Sequence, residues 1–265
     1  MFRLSREVRF AVNPDEDDQL AGPPTNSFAG FPSLRGIGHF LSLEVTLAAA
    51  NLDARSACLR NIKEIDQVVR QQAIPLATAF VRRGRYGGGS QLLLKLFEVL
   101  RNAWPESLLH HLRLSLSPLM TLTVFAREYP MVRISQKFEF SASHRLYNPA
   151  LSEEQNAEMF GKCTNVHGHG HNYVLQVTLA GPPNANGLII DIPKFEKIVA
   201  STVIEKFDHK NINAQLPEFA QLIPTVENIA SVIYRLLKPA FETTEAKLAG
   251  VTVWETPKTW CEYME

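Results

Sequence analysis

The chain has 265 residues, 45% of them hydrophobic, enough for a sizeable core in one large domain or two of about 130 residues. Lysine plus arginine and aspartate plus glutamate both number 27, so no global charge points to nucleic acid or an anionic membrane as partner. No apolar run approaches the roughly 18 residues of a membrane span, the charged and alternating MFRLSREVRF reads as a strand rather than a signal peptide, and three dispersed cysteines (Cys58, Cys163, Cys261) argue against a disulfide framework and for a reducing, cytoplasmic setting.

In chain order, residues 2–13 (FRLSREVRFAVN) and 38–48 (GHFLSLEVTLA) alternate as strands. Two helical stretches follow, with Cys58 in the first and a Gly/Pro-marked loop between them, and residues 112–117 (LRLSLS) close the series. The series then returns. VRISQKFEFSAS (132–143) resembles the first strand, GHNYVLQVTLA (170–180) the second, and VTVWET (251–256) the last, again around two helical stretches. Five elements matching in order predict two tandem ββααββ copies with a boundary near Tyr129-Pro130, residues 1–130 and 131–265. The fold class is α+β, each copy packing two helices on an antiparallel sheet.

The second copy is the better marked. Val132, Ile134, Phe138 and Phe140 alternate with Arg133, Ser135, Lys137 and Glu139, a half-buried strand. His169, His171, Tyr173, Leu175, Val177 and Leu179 share one face of the next. Asp191 is the expected N-cap of the first helix, with Pro193 in its first turn and a stripe of Phe195, Ile198, Val199, Thr202 and Phe207. Thr225 caps the second, whose buried face is Ile229, Val232, Ile233, Leu236 and Leu237.

Chemistry concentrates in CTNVHGHGHNY (163–173). Residues i and i+2 of a strand point the same way, so His169 and His171 can share one ion. His144 has the inward parity of Phe138, Phe140 and Ala142, and a long-looped hairpin brings it beside that pair. Three imidazoles with an open fourth position form a catalytic zinc geometry. HGHGH alone permits a second register through His167. Glu255 shares parity with Val251 and Val253, and a carboxylate turned inward needs partners.

FSASHRL (140–146), MFGKCTNVHGHGHNY (159–173), FDHKNIN (207–213), PTVEN (224–228) and VWET (253–256) together resemble the 6-pyruvoyl tetrahydropterin synthase family, in order across residues 132–265. The family also holds the 6-carboxytetrahydropterin synthases of queuosine biosynthesis. The resemblance implies the tunnelling fold (T-fold), in which subunits combine into a β-barrel with helices outside and sites form where subunits or domains meet. It implies a homo-oligomer acting on a small pterin triphosphate. It implies Zn2+ on His144, His169 and His171, with Cys163 as general base, Asp208 and His209 as a proton relay, and Glu255 as anchor for the pterin ring edge. Thr225 and Glu227 are implied pterin contacts, beside their plainer role at a helix start.

The implied reaction is loss of triphosphate from 7,8-dihydroneopterin triphosphate to give 6-pyruvoyl tetrahydropterin. The Asn-Tyr after the last histidine selects His169 and His171, separated from Cys163 by five residues, as in the pyruvoyl branch; the insert at 147–162 resembles that branch too. The carboxy branch begins from the same substrate and stays open, as does a non-catalytic pterin- or metal-binding protein.

The first copy lacks these groups. Ile37 stands opposite His169, His39 opposite His171 and Pro14 near His144, while QQAIPL (71–76) and YGGGSQ (86–91) replace FDHKNIN and PTVEN. Residues 1–130 are therefore expected to be a degenerate, structural copy. Arg82, Arg83 and Arg85 beside glycines could bind a triphosphate or form a solvated basic loop. Cys261, after Trp260, reads as packing.

Overall fold

The computed structural model describes residues 1–14, 28–83, 88–104 and 108–265. They form two compact units, Met1–Ile134 with Gly181–Ile189, and Ser135–Ala180 with Ile190–Glu265. The excursion at 181–189 belongs to the first unit through contacts such as Gly88 N–H to Asn186 O, 2.9 Å. Among the described residues no helix is long and apolar enough to cross a membrane.

In the first unit β1 (Phe2–Val12), β2 (His39–Ala49), β3 (Leu109–Ser115) and β4 (Met120–Phe125) are antiparallel neighbours in that order. Asn61 accepts a hydrogen bond from Lys63 N–H and starts α1 (Ile62–Val68), which passes through a π-helical turn (Val69–Ala73) into α2 (Ile74–Arg82). This cap leaves Cys58 in an exposed turn ahead of the helix, not inside it as the sequence suggested. α3 (Gly89–Arg101) then buries Leu92, Leu93, Leu96, Phe97 and Leu100.

The second unit carries β5 (Val132–His144), α4 (Glu153–Phe160), β6 (His169–Gly181), α5 (Ile192–Val199), α6 (Glu205–Phe207), a short β7 (Lys210–Asn211), α7 (Ile212–Gln215), α8 (Val226–Glu242), β8 (Lys247–Thr256) and β9 (Thr259–Tyr263). Its long strands are neighbours in the order β5-β6-β8-β9, and β7 runs parallel to the end of β5. The architecture is α+β. Asp191 and Thr225 cap α5 and α8 as expected, each accepting from a backbone N–H three residues on.

One expected stripe shifts. A π-helical turn (Ala200–Ile204) joins α5 to α6, and its wider i→i+5 winding re-phases the buried face to Phe195, Val199, Val203 and Phe207. Ile198 and Thr202 are left half-buried. On α8, Leu236 is likewise half-buried, while Ala230, Tyr234 and Phe241 join the core.

Internal contacts of the two units correspond. Ser5 and Thr46 hydroxyls meet at 2.6 Å, Ser135 and Thr178 at 2.9 Å. Arg6 donates twice to Asp66, and Gln136 donates to Glu196 at the matching place. The sheet register shifts between Thr46 and Leu47 in one, and between Thr178 and Leu179 in the other. Ile65, Val69, Ala73 and Ala77 are buried where Phe195, Val199, Val203 and Phe207 are.

Candidate metal centre and active site

The inward parity of β5 ends on His144, which is fully buried, and that of β6 begins with His169 and His171. Cross-strand contacts Ser135–Thr178, Ser141–Asn172 and His144–His169 run in opposite senses, so the end of β5 lies beside the start of β6. The three imidazoles offer ligand atoms that all lie within 4.8 Å of one another. His144 Nε2 and His169 Nε2 are 3.1 Å apart, a separation suited to sharing one proton or one cation.

His144 is held by its other nitrogen. Its Nδ1–H donates to the Pro224 carbonyl at 2.7 Å, just ahead of α8, which leaves Nε2 with its lone pair toward the centre. Burial pushes His144 down to about 4, against a smaller upward pull from the Pro224 carbonyl. His171 is also lowered, by burial first, with Glu255 pulling the other way. Both shifts favour the neutral ring, the form a metal requires.

Glu255 joins the cluster from β8, its Oε1 3.3 Å from His144 Nε2 and 3.7 Å from His171 Nε2. Three buried polar atoms here, His169 Nδ1, His171 Nε2 and Tyr173 Oη, have no hydrogen-bond partner among the described residues. Three converging imidazoles, two of them with an orphaned buried ring nitrogen, fit a divalent metal ion.

Tyr173 is the residue sequence reasoning passed over, counted only as an apolar inward position. Its ring is fully buried, stacks on Phe140 at 5.0 Å and contacts His171 at 5.5 Å. Burial, then Glu255 and Cys163, push its phenol well above the usual range. The signal was a tyrosine on the buried face two residues beyond a histidine, because a buried phenol asks for a partner.

The other expected residues fall outside that group of three. Cys163 is half-buried in a 3-10 turn (Gly161–Thr164) tied to the end of β5 by Leu146 N–H to Cys163 O, 2.9 Å, and Arg145 Nε–H to Thr164 O, 2.7 Å. His167 is exposed outside the strand, so the structure brings together His144, His169 and His171 rather than the other register. Asp208 Oδ2 accepts from His209 Nδ1–H at 2.8 Å, and its Oδ1 from Ser141 N–H at 2.8 Å. The Ser141 amide first, and His209 next, hold that carboxyl below its usual range. His209 sits at φ 57°, and its side chain is 84% exposed. It lines a cleft of about 520 Å³ together with Ser141, Ser143, His171 and Asn172.

Thr225 Oγ1 accepts from Asn228 N–H at 3.4 Å, its helix-start role. Glu227 is exposed in the first turn of α8; with Glu262 it adds to the burial that raises the Cys261 thiol. In the first unit, Arg82 donates through Nε and Nη2 to Asn13 O, both at 3.1 Å. Arg83 is exposed, and Arg85 and the Tyr86-Gly87 part of YGGGSQ lie outside the described residues. His39 and Ile37 are exposed, and strand register sets Leu116 where Glu255 stands in the second unit.

A family model described as 6-pyruvoyl tetrahydropterin synthase matches residues 133–265. The chain is 35% identical over 137 residues to the 6-pyruvoyl tetrahydrobiopterin synthase of Drosophila melanogaster, covering 51% of this chain and 81% of that protein. To the human protein of that name it is 38% identical over 125 residues, covering 47% of this chain and 85% of the relative. A crystal structure of uricase from Arthrobacter globiformis is similar over 100% of this chain and 93% of its own, at TM-score 0.52 and 8% identity, a likeness of fold alone.

Proposed function

The chain belongs to the 6-pyruvoyl tetrahydropterin synthase family, and from that premise we propose that its second unit removes triphosphate from 7,8-dihydroneopterin triphosphate and rearranges the side chain to 6-pyruvoyl tetrahydropterin. The observation that carries this reading is the convergence of His144, His169 and His171 beside Glu255, inside the matched stretch.

The three histidines hold the metal, which we take to be zinc from the all-imidazole donor set. Bound there, zinc supplies Lewis acidity toward the substrate side-chain oxygens and so loosens the neighbouring C–H bond. Cys163 takes that proton, its turn being pinned to the strand that carries His144. Asp208 fixes the imidazole of His209 through Nδ1, which leaves Nε2 to exchange protons with the side-chain hydroxyls during tautomerisation. Glu255 accepts the N–H and amino donors of the pterin edge. Thr225 and Glu227 lie at the start of α8, where its free N–H groups favour an anionic or acceptor-rich ligand.

An imidazole as open as His209 cannot exclude water from proton transfer unaided, so in this reading a second copy of the chain closes the cleft. The first unit acts as a degenerate copy with a structural role. The corresponding contacts of the two units support its common origin, and Pro14, Ile37 and Leu116 at the ligand positions support its loss of chemistry.

The exposed position of His167 favours the pyruvoyl product over the carboxy product. Incubation of the purified chain with 7,8-dihydroneopterin triphosphate and mass analysis of the product tests this directly. Free triphosphate and a 6-pyruvoyl pterin are expected; a 6-carboxy pterin would move the chain to the other branch, and metal binding without turnover would make it a binding protein.

A further inference from the structure

β3 of the first unit carries two adjacent histidines, His110 and His111, apart from the metal centre and its cleft. β2 pairs Thr46 with His111 and Leu47 with Leu109, so His110 is the extra residue of a bulge. Neighbouring residues of a regular strand point to opposite faces. Here the bulge sets the two rings side by side, with centroids 5.1 Å apart and Nδ1 to Nδ1 at 2.8 Å. The second unit has the same shift between Thr178 and Leu179, but Ala249 and Gly250 stand there. A Cβ on Gly250 would meet Met264 Cγ at 2.8 Å, so the histidine pair belongs to the first unit alone.

Distances fix where the protons sit. His111 Nε2 lies 3.2 Å from Glu44 Oε1, and that hydrogen bond, ahead of the opposing burial, holds the Glu44 carboxyl below its usual range. A charged carboxylate only accepts, so His111 carries its proton on Nε2 and a lone pair on Nδ1. His110 Nδ1–H donates to that lone pair, and His110 Nε2 is left to take the next proton. Burial, then Arg3, His111 and Arg127, hold His110 below its ordinary value. The other charges around the pair are Arg113, 4.0 Å from Glu44, and Glu7, which acts on Glu44 from β1. Phe125 of β4 contacts both histidine rings, and Arg127 and Arg133 lie over it, each paired with Glu128.

We propose that Glu44, His111 and His110 form a pH-sensitive latch on the β2–β3 bulge of the first unit, closed while the hydrogen bonds run in line and opened when both rings are fully protonated. One added proton goes to His110 Nε2 and leaves the contact between the rings standing. A second goes to His111 Nδ1 and turns two N–H groups on each other across 2.8 Å, so the contact breaks. Arg3 and Arg127 oppose the first step by like charge. Because His110 is held low in the folded chain, its stabilisation is full above the unfolded value of about 6.5 and is lost as pH falls through the lower folded value. Acid thus loosens the end of β3 in the first unit, while Ala249 and Gly250 of the second have nothing to titrate. The inference does not depend on the metal centre.

The test is ring-nitrogen NMR of the full chain, labelled at histidine, with the signals of the pair assigned by connection to the backbone. In base, His110 should be protonated on Nδ1 and His111 on Nε2. On acidification the pair should titrate in two steps, with midpoints about one unit or more apart. His110→Asn keeps an N–H donor near the place of Nδ1 and has nothing to titrate. It should leave His111 with a single step, and its urea midpoint should fall less than that of the wild type across about pH 7.5 to 5.5. A proton on His110 Nε2 in base, a single step shared by both rings, or equal acid losses in wild type and His110→Asn overturns the proposal. Should the variant fail to fold by circular dichroism, the wild-type tautomers and the number of steps decide.

Discussion

At Gly168 the backbone turns into β6 with φ +70°, and a Cβ there would meet His144 O at 2.8 Å. Gly170, in the same HGHGH run, would place a Cβ 3.5 Å from Ala142 O, an ordinary contact. The two glycines therefore have different duties. Gly168→Ala should cost about 1–2 kcal/mol for the left-handed backbone alone, more for the clash, and should reduce bound metal by pushing His144 from its place. Gly170→Ala should leave both nearly unchanged; thermal unfolding and metal content of the two variants check this. Asp208 gives a pH signature. Its carboxyl is held low by the Ser141 amide and then by His209, so the charged form is favoured in the folded state. The stabilisation is present above the unfolded value of about 3.9 and is lost as pH falls through the lower folded value. Wild type should thus lose a stabilising increment on acidification that Asp208→Asn lacks, and the gap between their urea midpoints should narrow in acid. Parity alone placed His144, His169, His171 and Glu255 on inward faces, because a strand's alternation is written in every residue. The contact of Glu255 with His144 and His171 brings together residues of three strands distant in sequence, which no local pattern announces.

The first helix of each unit shows where sequence periodicity stops. A stripe at 3–4 residue spacing puts Ile198 and Thr202 inside, yet the π-helical turn over Ala200–Ile204 buries Val203 instead. The first unit has the same turn at Val69–Ala73, with Ala73 buried at the corresponding place. A π turn arises from the competition of one backbone bond pattern with another under tertiary packing, so neither helix declares it in composition. Packing at Val203 is what the turn secures. Val203→Ala should cost about 1–3 kcal/mol from lost burial and a residual cavity, whereas Thr202→Ala should stay within about 0.5 kcal/mol, as a half-exposed polar site usually does. Chemical denaturation of the two variants separates the re-phased face from the regular one. The caps were easier to read, since Asp191 and Thr225 carry the short oxygen side chains that satisfy free N–H groups wherever a helix begins.

Two units with corresponding contacts and unequal chemistry lead to a metal count for the whole chain. The triad His144, His169 and His171 is the one group of three ligating side chains within bonding reach among the described residues. In the first unit the matching places hold Pro14, Ile37 and Leu116, none with a donor side chain, and His39 is exposed and joins no group of three ligating side chains among the described residues. A single imidazole cannot replace three, because each ligand's contribution depends on the others having already fixed the ion. The chain should therefore take up one metal ion. His144→Ala should abolish that uptake, while His39→Ala should leave it unchanged, as measured by metal analysis of dialysed protein. Two ions per chain, or a loss on His39→Ala, would place a working centre in the first unit and end its reading as a degenerate copy. One ion lost only with His144 would instead leave the first unit with the contacts both units hold in common, Ser5–Thr46 with Ser135–Thr178 and Arg6–Asp66 with Gln136–Glu196. Those contacts pin strand to strand and helix to sheet, so that outcome would support the proposal that the first unit is a structural copy without a metal centre.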